Sequence, residues 1–134
     1  MNHQVGPEKT RKVAVDAGIP DDTPDLKDNL VNVLGSANVH PMDMASAYAT
    51  FAAQGVHRKW HSIESITKIE DDEPMYVVDT KGDRVFDKDV MADATFAMEH
   101  VVSDGSGTYA QALNRDVAGK TGTSSKNKSA WFSA

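Results

Sequence analysis

The spacing of apolar positions changes several times along the chain, and each change predicts an element. Between residues 6 and 18, Pro7 near the first turn, Glu8 just after it, Val13 and Ala17 four apart, and Gly18 as a stop predict a helix. Residues 19–29 hold Pro20, Pro24 and four aspartates. They read as a loop, because proline has no N–H to donate and aspartate side chains compete for backbone partners. The apolar run at 30–34 predicts a short strand. Residues 41–54 carry the strongest helical signal. His40 or Asn38 precedes them, Pro41 suits an early helical position, Asp43 complements the positive end of the helix dipole, and Gly55 can end it. Met44, Ala45, Tyr48, Ala49, Phe51 and Ala52 give this helix a broad apolar stripe, expected to be core rather than a cofactor surface.

From residue 61 to 86 the spacing changes to strand type. Ile63, Ile66 and Ile69 lead to Tyr76-Val77-Val78, then to a turn at Lys81-Gly82-Asp83 and to Arg84-Val85-Phe86. Asp87 is placed to cap a second long helix through Val102, with Val90, Met91, Ala94, Ala97, Met98 and Val101 on one side. Ser103-Asp104-Gly105-Ser106-Gly107 breaks it, residues 108–113 read as a short helical turn, and residues 117–124 and 130–134 read as two strands across a polar loop. The expected class is α+β, an antiparallel sheet packed against helices. One domain, or part of one, spans residues 1–134.

Charge narrows the partners. Of the net −6, residues 115–134 contribute +3 from Arg115, Lys120, Lys126 and Lys128 against Asp116, which leaves −9 on the first 114 residues. An acidic body argues against nucleic acid, while a small basic tail suits a compact anion such as a carboxylate. Cysteine is absent, so neither disulfides nor thiolate metal sites are expected. No apolar run approaches the roughly 20 residues that span a bilayer, and the start lacks the pattern of an export signal. Any anchor is therefore expected outside these residues. His57 and His61 are four apart, but the strand-type spacing around them argues against a helical metal pair, and no metal or cofactor is expected. The acidic run Glu70-Asp71-Asp72-Glu73 lacks calcium-loop spacing and reads as surface.

The chemistry concentrates in Lys120-Thr121-Gly122-Thr123. A Lys-Thr-Gly tripeptide arises by chance in roughly three of a hundred chains of this size, so it decides nothing alone. It does suit one task. A peptide's terminal carboxylate needs a cation and hydroxyl donors, and its reacting carbonyl needs an N–H aimed at the developing oxyanion. On a strand, Lys120 supplies charge, the Thr121 and Thr123 hydroxyls share a face, Gly122 admits close approach, and the Thr123 N–H is the oxyanion donor. Lys120 and Thr123 are thus the expected catalytic groups, and Lys120, Thr121, Gly122 and Thr123 the substrate-binding ones. Local sequence leaves open a plain hairpin edge kept soluble by its lysines, with the glycine as a bulge.

A longer series of blocks bears on that choice. Val5-Gly6-Pro7-Glu8-Lys9-Thr10, Leu34-Gly35-Ser36, the stretch from Pro41-Met42-Asp43 to Phe51-Ala52, Asp104-Gly105-Ser106-Gly107-Thr108, Ala118-Gly119-Lys120-Thr121-Gly122-Thr123 and Ala130-Trp131-Phe132 resemble, in order, consecutive blocks of class A (bifunctional) penicillin-binding proteins. The resemblance implies a carboxyl-terminal part of the penicillin-binding-protein/β-lactamase-like transpeptidase fold, acting on D-Ala-D-Ala peptidoglycan stem peptides at the extracytoplasmic face of the bacterial membrane. β-Lactams would be acylating mimics.

That family uses a Ser-x-x-Lys nucleophile and a Ser-x-Asn motif, both of which precede the Gly-Pro block. Ser65-Ile66-Thr67-Lys68 falls in a β-branched run, Ser125-Lys126-Asn127-Lys128 in a polar loop, and Ser36-Ala37-Asn38 in the Gly-Ser block as a structural turn. The expectation is therefore a fragment that depends on the N-terminal half of its domain and is inactive alone. The alternatives are a non-catalytic binding or scaffold module that keeps the fold, and a related β-lactamase-like hydrolase.

Overall fold

The computed structural model describes residues 2–134. A short α1 (Asn2–Val5) precedes α2 (Pro7–Ala17), which begins on Pro7 and ends on Gly18. Gly18 has φ +121 and closes the helix with its N–H on Val15 O at 2.9 Å. A Cβ there would fall 2.6 Å from His57 Cε1, so the position also needs a residue without a side chain. The loop that follows is held by Arg11, whose guanidinium donates to Leu26 O at 3.2 Å and lies 2.6 Å from the Asp21 carboxylate.

Residues 30–34 do not form the expected strand. They lead into a 3-10 turn (Asn32–Leu34) ended by Gly35 in the left-handed region. The Asn29 side chain accepts the Val31 N–H, and the Asn32 amide donates to Lys27 O, so local side-chain bonds take backbone groups that a strand would have offered a neighbour.

Helix α3 (Pro41–Ala52) follows His40 as expected, but its buried face is Asp43, Ser46, Ala47 and Thr50. Of the expected stripe, Met44, Tyr48 and Phe51 are half-buried and Ala45, Ala49 and Ala52 are exposed. The contact with α2 explains the rotation. The Thr50 hydroxyl, 1% exposed, sits 2.8 Å from Ala17 O and 3.0 Å from His57 Nδ1, and small residues at 46, 47 and 50 let the helices approach closely. Around this seam Ala17, Ile19, Leu26 and Ala47 make the core, flanked by Ala14, Val15, Ala37, Val39, Phe51 and Phe86.

The strands pair antiparallel but form three separate two-stranded sheets among the described residues. Strand β1 (Val56–His57) pairs with β4 (Asp83–Arg84), β2 (Ser65–Ile66) with β3 (Tyr76–Val77), and β5 (Lys120–Thr123) with β6 (Ala130–Ser133). The turn at 81–83 thus returns the chain to β1 rather than to β3. Helix α4 (Lys88–Ser103) follows Asp87, which has N-cap backbone angles without a side-chain capping bond. Met91 and Val102 are buried, Ala94, Met98 and Val101 half-buried, and Val90 and Ala97 exposed. A 3-10 segment (Thr108–Leu113) then leads toward β5. The class is α+β, as the sequence implied.

Candidate active site

Strands β5 and β6 run in continuous register, Lys120 opposite Ser133, Thr121 opposite Phe132, Gly122 opposite Trp131 and Thr123 opposite Ala130. Gly122 is therefore an ordinary ladder residue and not a bulge. A Cβ at 122 would meet only Trp131 Cβ, at 3.9 Å.

The ladder fixes which backbone groups face outward. Ser124 N–H donates to Ser129 O at 2.9 Å, which makes that facing pair a hydrogen-bonded one. Hydrogen-bonded and non-hydrogen-bonded pairs alternate in an antiparallel ladder, so Gly122 and Lys120 turn their backbone groups to β6, while Thr123 and Thr121 turn theirs to the opposite, open edge. The Lys120 side chain leaves the strand on the face opposite the Thr121 and Thr123 side chains. It then folds back, with Nζ donating to Thr121 O at 2.7 Å. Because that carbonyl lies on the open edge, the ammonium ends on the same edge as the Thr123 N–H. One edge of one strand thus carries a cation and an outward N–H donor, with Lys120, Gly122 and Thr123 exposed.

The Thr121 hydroxyl meets the turn after α4. Its Oγ1 is 2.5 Å from Ser106 Oγ, and either oxygen can be the donor. Ser106 was not among the site residues expected from sequence, although the Asp104-Gly105-Ser106-Gly107-Thr108 block containing it was singled out. Nothing in that block's local pattern tells that it folds back onto β5. The other face of the ribbon reaches α3, where burial pushes the Tyr48 hydroxyl above its ordinary value against a weaker opposing effect of Ser133. Beside Ser106, the Asp104 carboxyl is held below the usual carboxylate range, first by the Ser103 hydroxyl at 2.8 Å and then by His100.

The remaining sequence candidates take other places in the fold. Ser65 is in exposed β2 and Ser125 in the 3-10 turn between β5 and β6, so neither begins an α-helix with its lysine one turn on. The Asn38 side chain donates to Asp25 at 2.8 Å and its N–H to Pro24 O, which makes Ser36-Ala37-Asn38 a brace for the 19–29 loop. His57 packs on Thr50, whereas His61 lines a shallow groove with Trp60, Ile63, Ile66 and Tyr76.

The family model for the penicillin binding protein transpeptidase domain matches residues 5–132. The chain belongs to this transpeptidase family. Among relatives, penicillin-binding protein 1A of Mycobacterium tuberculosis is 31% identical over 145 aligned positions, covering 95% of this chain and 18% of that protein. Penicillin-binding protein 1F of Bacillus subtilis is 35% identical and covers 97% of this chain and, again, 18% of that protein. The transpeptidase fold agrees with the solved structure of PonA1 from M. tuberculosis, at TM-score 0.76 and 30% identity over 96% of this chain and 38% of the other. PonA1 has also been solved in complex with penicillin V, at TM-score 0.77. This chain thus spans under a fifth of the length of those curated relatives. Among the described residues, no helix is long and apolar enough to cross a membrane.

Proposed function

We propose that residues 1–134 form the carboxyl-terminal part of one D-Ala-D-Ala transpeptidase domain of peptidoglycan synthesis and supply its substrate and oxyanion strand. The observation that carries this reading is the convergence of the Lys120 ammonium and the Thr123 N–H on the open edge of β5. A stem peptide, or a β-lactam in its place, adds to that edge as an extended strand would. Lys120 and Thr121 bind its terminal carboxylate, and the Thr123 N–H takes the carbonyl oxygen as it becomes an oxyanion.

The acyl transfer itself needs a serine held beside a base. That serine forms the new ester bond as the D-Ala–D-Ala amide bond breaks and the departing D-Ala amine takes a proton. On this reading the nucleophile, and the second oxyanion donor formed by its own N–H, come from a Ser-x-x-Lys helix outside these 134 residues. The domain works at the extracytoplasmic face of the membrane, anchored by segments other than those described. The binding of penicillin V by PonA1, similar over nearly the whole of this chain, supports β-lactams as ligands.

Labelled penicillin tests the reading on two polypeptides, the 134-residue chain and the same chain joined to its Ser-x-x-Lys helix. Covalent labelling of the longer polypeptide only is expected. In that polypeptide Thr123→Pro removes an N–H that the ladder does not use, so the ribbon persists while acylation falls by about 100- to 1000-fold. Unchanged acylation in Thr123→Pro would remove the oxyanion assignment, and failure of the longer wild-type polypeptide to label would favour a non-catalytic module.

A further inference from the structure

Ser106 and Thr121 share one short hydrogen bond, and which of them donates has a consequence for ligand binding. We propose that Ser106 is a positioning residue for the substrate carboxylate: its hydroxyl donates to Thr121 Oγ1 and so frees the Thr121 proton for an anion bound along β5. This rests on the transpeptidase reading above.

Each hydroxyl has a single proton, and a carboxylate only accepts. If Thr121 donated to Ser106, it would have nothing to offer the anion. Donation in the other direction leaves the Thr121 proton available, and a carboxylate selects that direction because a bond to a charged acceptor is about twice as strong as one between neutral groups. The row Ser106 to Thr121 to carboxylate then runs one way, and each bond polarises the next.

The fold holds Ser106 in place for this. Gly107 donates its N–H to Val101 O at 2.8 Å, and the Gln111 amide donates to Val102 O at 2.8 Å and Ser103 O at 2.9 Å, so the residues that follow Ser106 are tied back to the end of α4. A Cβ at 107 would stand 3.3 Å from Phe132 Cε2, and Phe132 lies directly opposite Thr121 in the ladder. The missing side chain at 107 is what lets the turn press against the Thr121 face of the ribbon.

A simple latch between α4 and β5 would have the same bond, so the test separates the two roles. In the polypeptide that includes the Ser-x-x-Lys helix, S106A, T121V, the double variant and S106T are acylated with penicillin V, with the binding and acylation steps resolved and thermal midpoints measured. S106A is expected to lower the second-order acylation constant by about tenfold through weaker binding, with the acylation step unchanged. In the T121V background S106A should have no further effect, and S106T should restore most of the loss. Independent losses in the double variant, a loss that S106T does not restore and that follows the thermal midpoint, or no loss in S106A would each overturn the proposal. Absence of labelling in the unsubstituted polypeptide is a separate result that overturns the transpeptidase reading, and this inference with it.

Discussion

Replacing Thr50 by valine should cost this chain a large part of its stability, although the side-chain volume barely changes. The Thr50 oxygen is the meeting point of three groups: Ala17 O at 2.8 Å, Ser46 O at 3.2 Å and His57 Nδ1 at 3.0 Å. With one proton to give, the hydroxyl can donate to only one of them. Donation to Ala17 O, the shortest contact, implies that His57 carries a proton on Nδ1 and donates to the Thr50 oxygen. Ser46 O lies within α3 and keeps its helical partner when the hydroxyl is gone. Ala17 is 3% exposed, and its carbonyl at the end of α2 has no such substitute. Half-buried His57 can turn toward water at smaller cost. Losing one net hydrogen bond and stranding one buried carbonyl comes to about 2–3 kcal/mol. Thr50→Ser keeps the hydroxyl and loses a methyl, worth about 1 kcal/mol. Urea unfolding followed by Trp60 and Trp131 fluorescence should therefore rank wild type above Thr50→Ser above Thr50→Val. Thr50→Val unfolding at or above the Thr50→Ser midpoint would refute the account, since the more apolar variant should win only if the hydroxyl contributes nothing.

Other outcomes follow from the same geometry. Gly18→Ala puts a Cβ 2.6 Å from the His57 ring at a residue with φ +121, so it should destabilise by more than about 1 kcal/mol, and an unchanged urea midpoint would contradict the clash. Gly122→Ala meets only Trp131 Cβ at 3.9 Å, so stability should hold within about 0.5 kcal/mol, while penicillin acylation of the longer polypeptide should fall by about tenfold or more. For Tyr48, burial raises the folded value above 10.0 against a weaker opposing effect of Ser133. The unfolded phenol therefore ionises first as pH rises, and stability is intact below pH 10.0 and declines as pH climbs through the folded value. Tyr48→Phe should flatten that alkaline decline, and an unaltered decline in the variant would assign it elsewhere.

Helices were the most legible part of the sequence because their ends carry local instructions. Pro7, Gly18, His40-Pro41 and Asp87 mark the observed limits of α2, α3 and α4 within a residue or two. Sheet partners were less legible. The 61–86 region reads as one antiparallel unit, but strands of two residues have too few ladder bonds to fix their own neighbours, and β1 and β2 take β4 and β3 respectively. The α3 stripe was misjudged for a related reason. Hydrophobicity marks a side able to be buried, while the buried side was selected by a Thr50 hydroxyl that answers the end of α2, which no helical periodicity encodes. The extended run at 120–123 and the shared face of Thr121 and Thr123 could be read because a strand's alternation is local, whereas the return of Lys120 Nζ to Thr121 O could not. Ser106 could not, because its partner is fifteen positions away across a turn.

Two deficits in the chain have a common cause on the proposed reading. The chemical one is half an oxyanion pocket, with the Thr123 N–H present and, among the described residues, no serine beginning a helix with lysine one turn on. The packing one is a short roster of buried apolar side chains beside α3 and α4 faces that leave Ala45, Ala49, Val90 and Ala97 exposed and Phe96 62% exposed. A scaffold module built to act alone would be expected to turn polar residues outward at those positions, since 45 and 49 on α3 and 90 and 97 on α4 recur at helical spacing and mark a side of each helix open to a further contact. A domain completed by a nucleophile-bearing half would need those positions apolar and the pocket incomplete at the same time. The two features are then one requirement, and adding the Ser-x-x-Lys segment should raise both the stability of these residues and their reactivity toward penicillin. A longer polypeptide that gained reactivity with no added protection of α3 and α4 amides from hydrogen exchange would break the link between them.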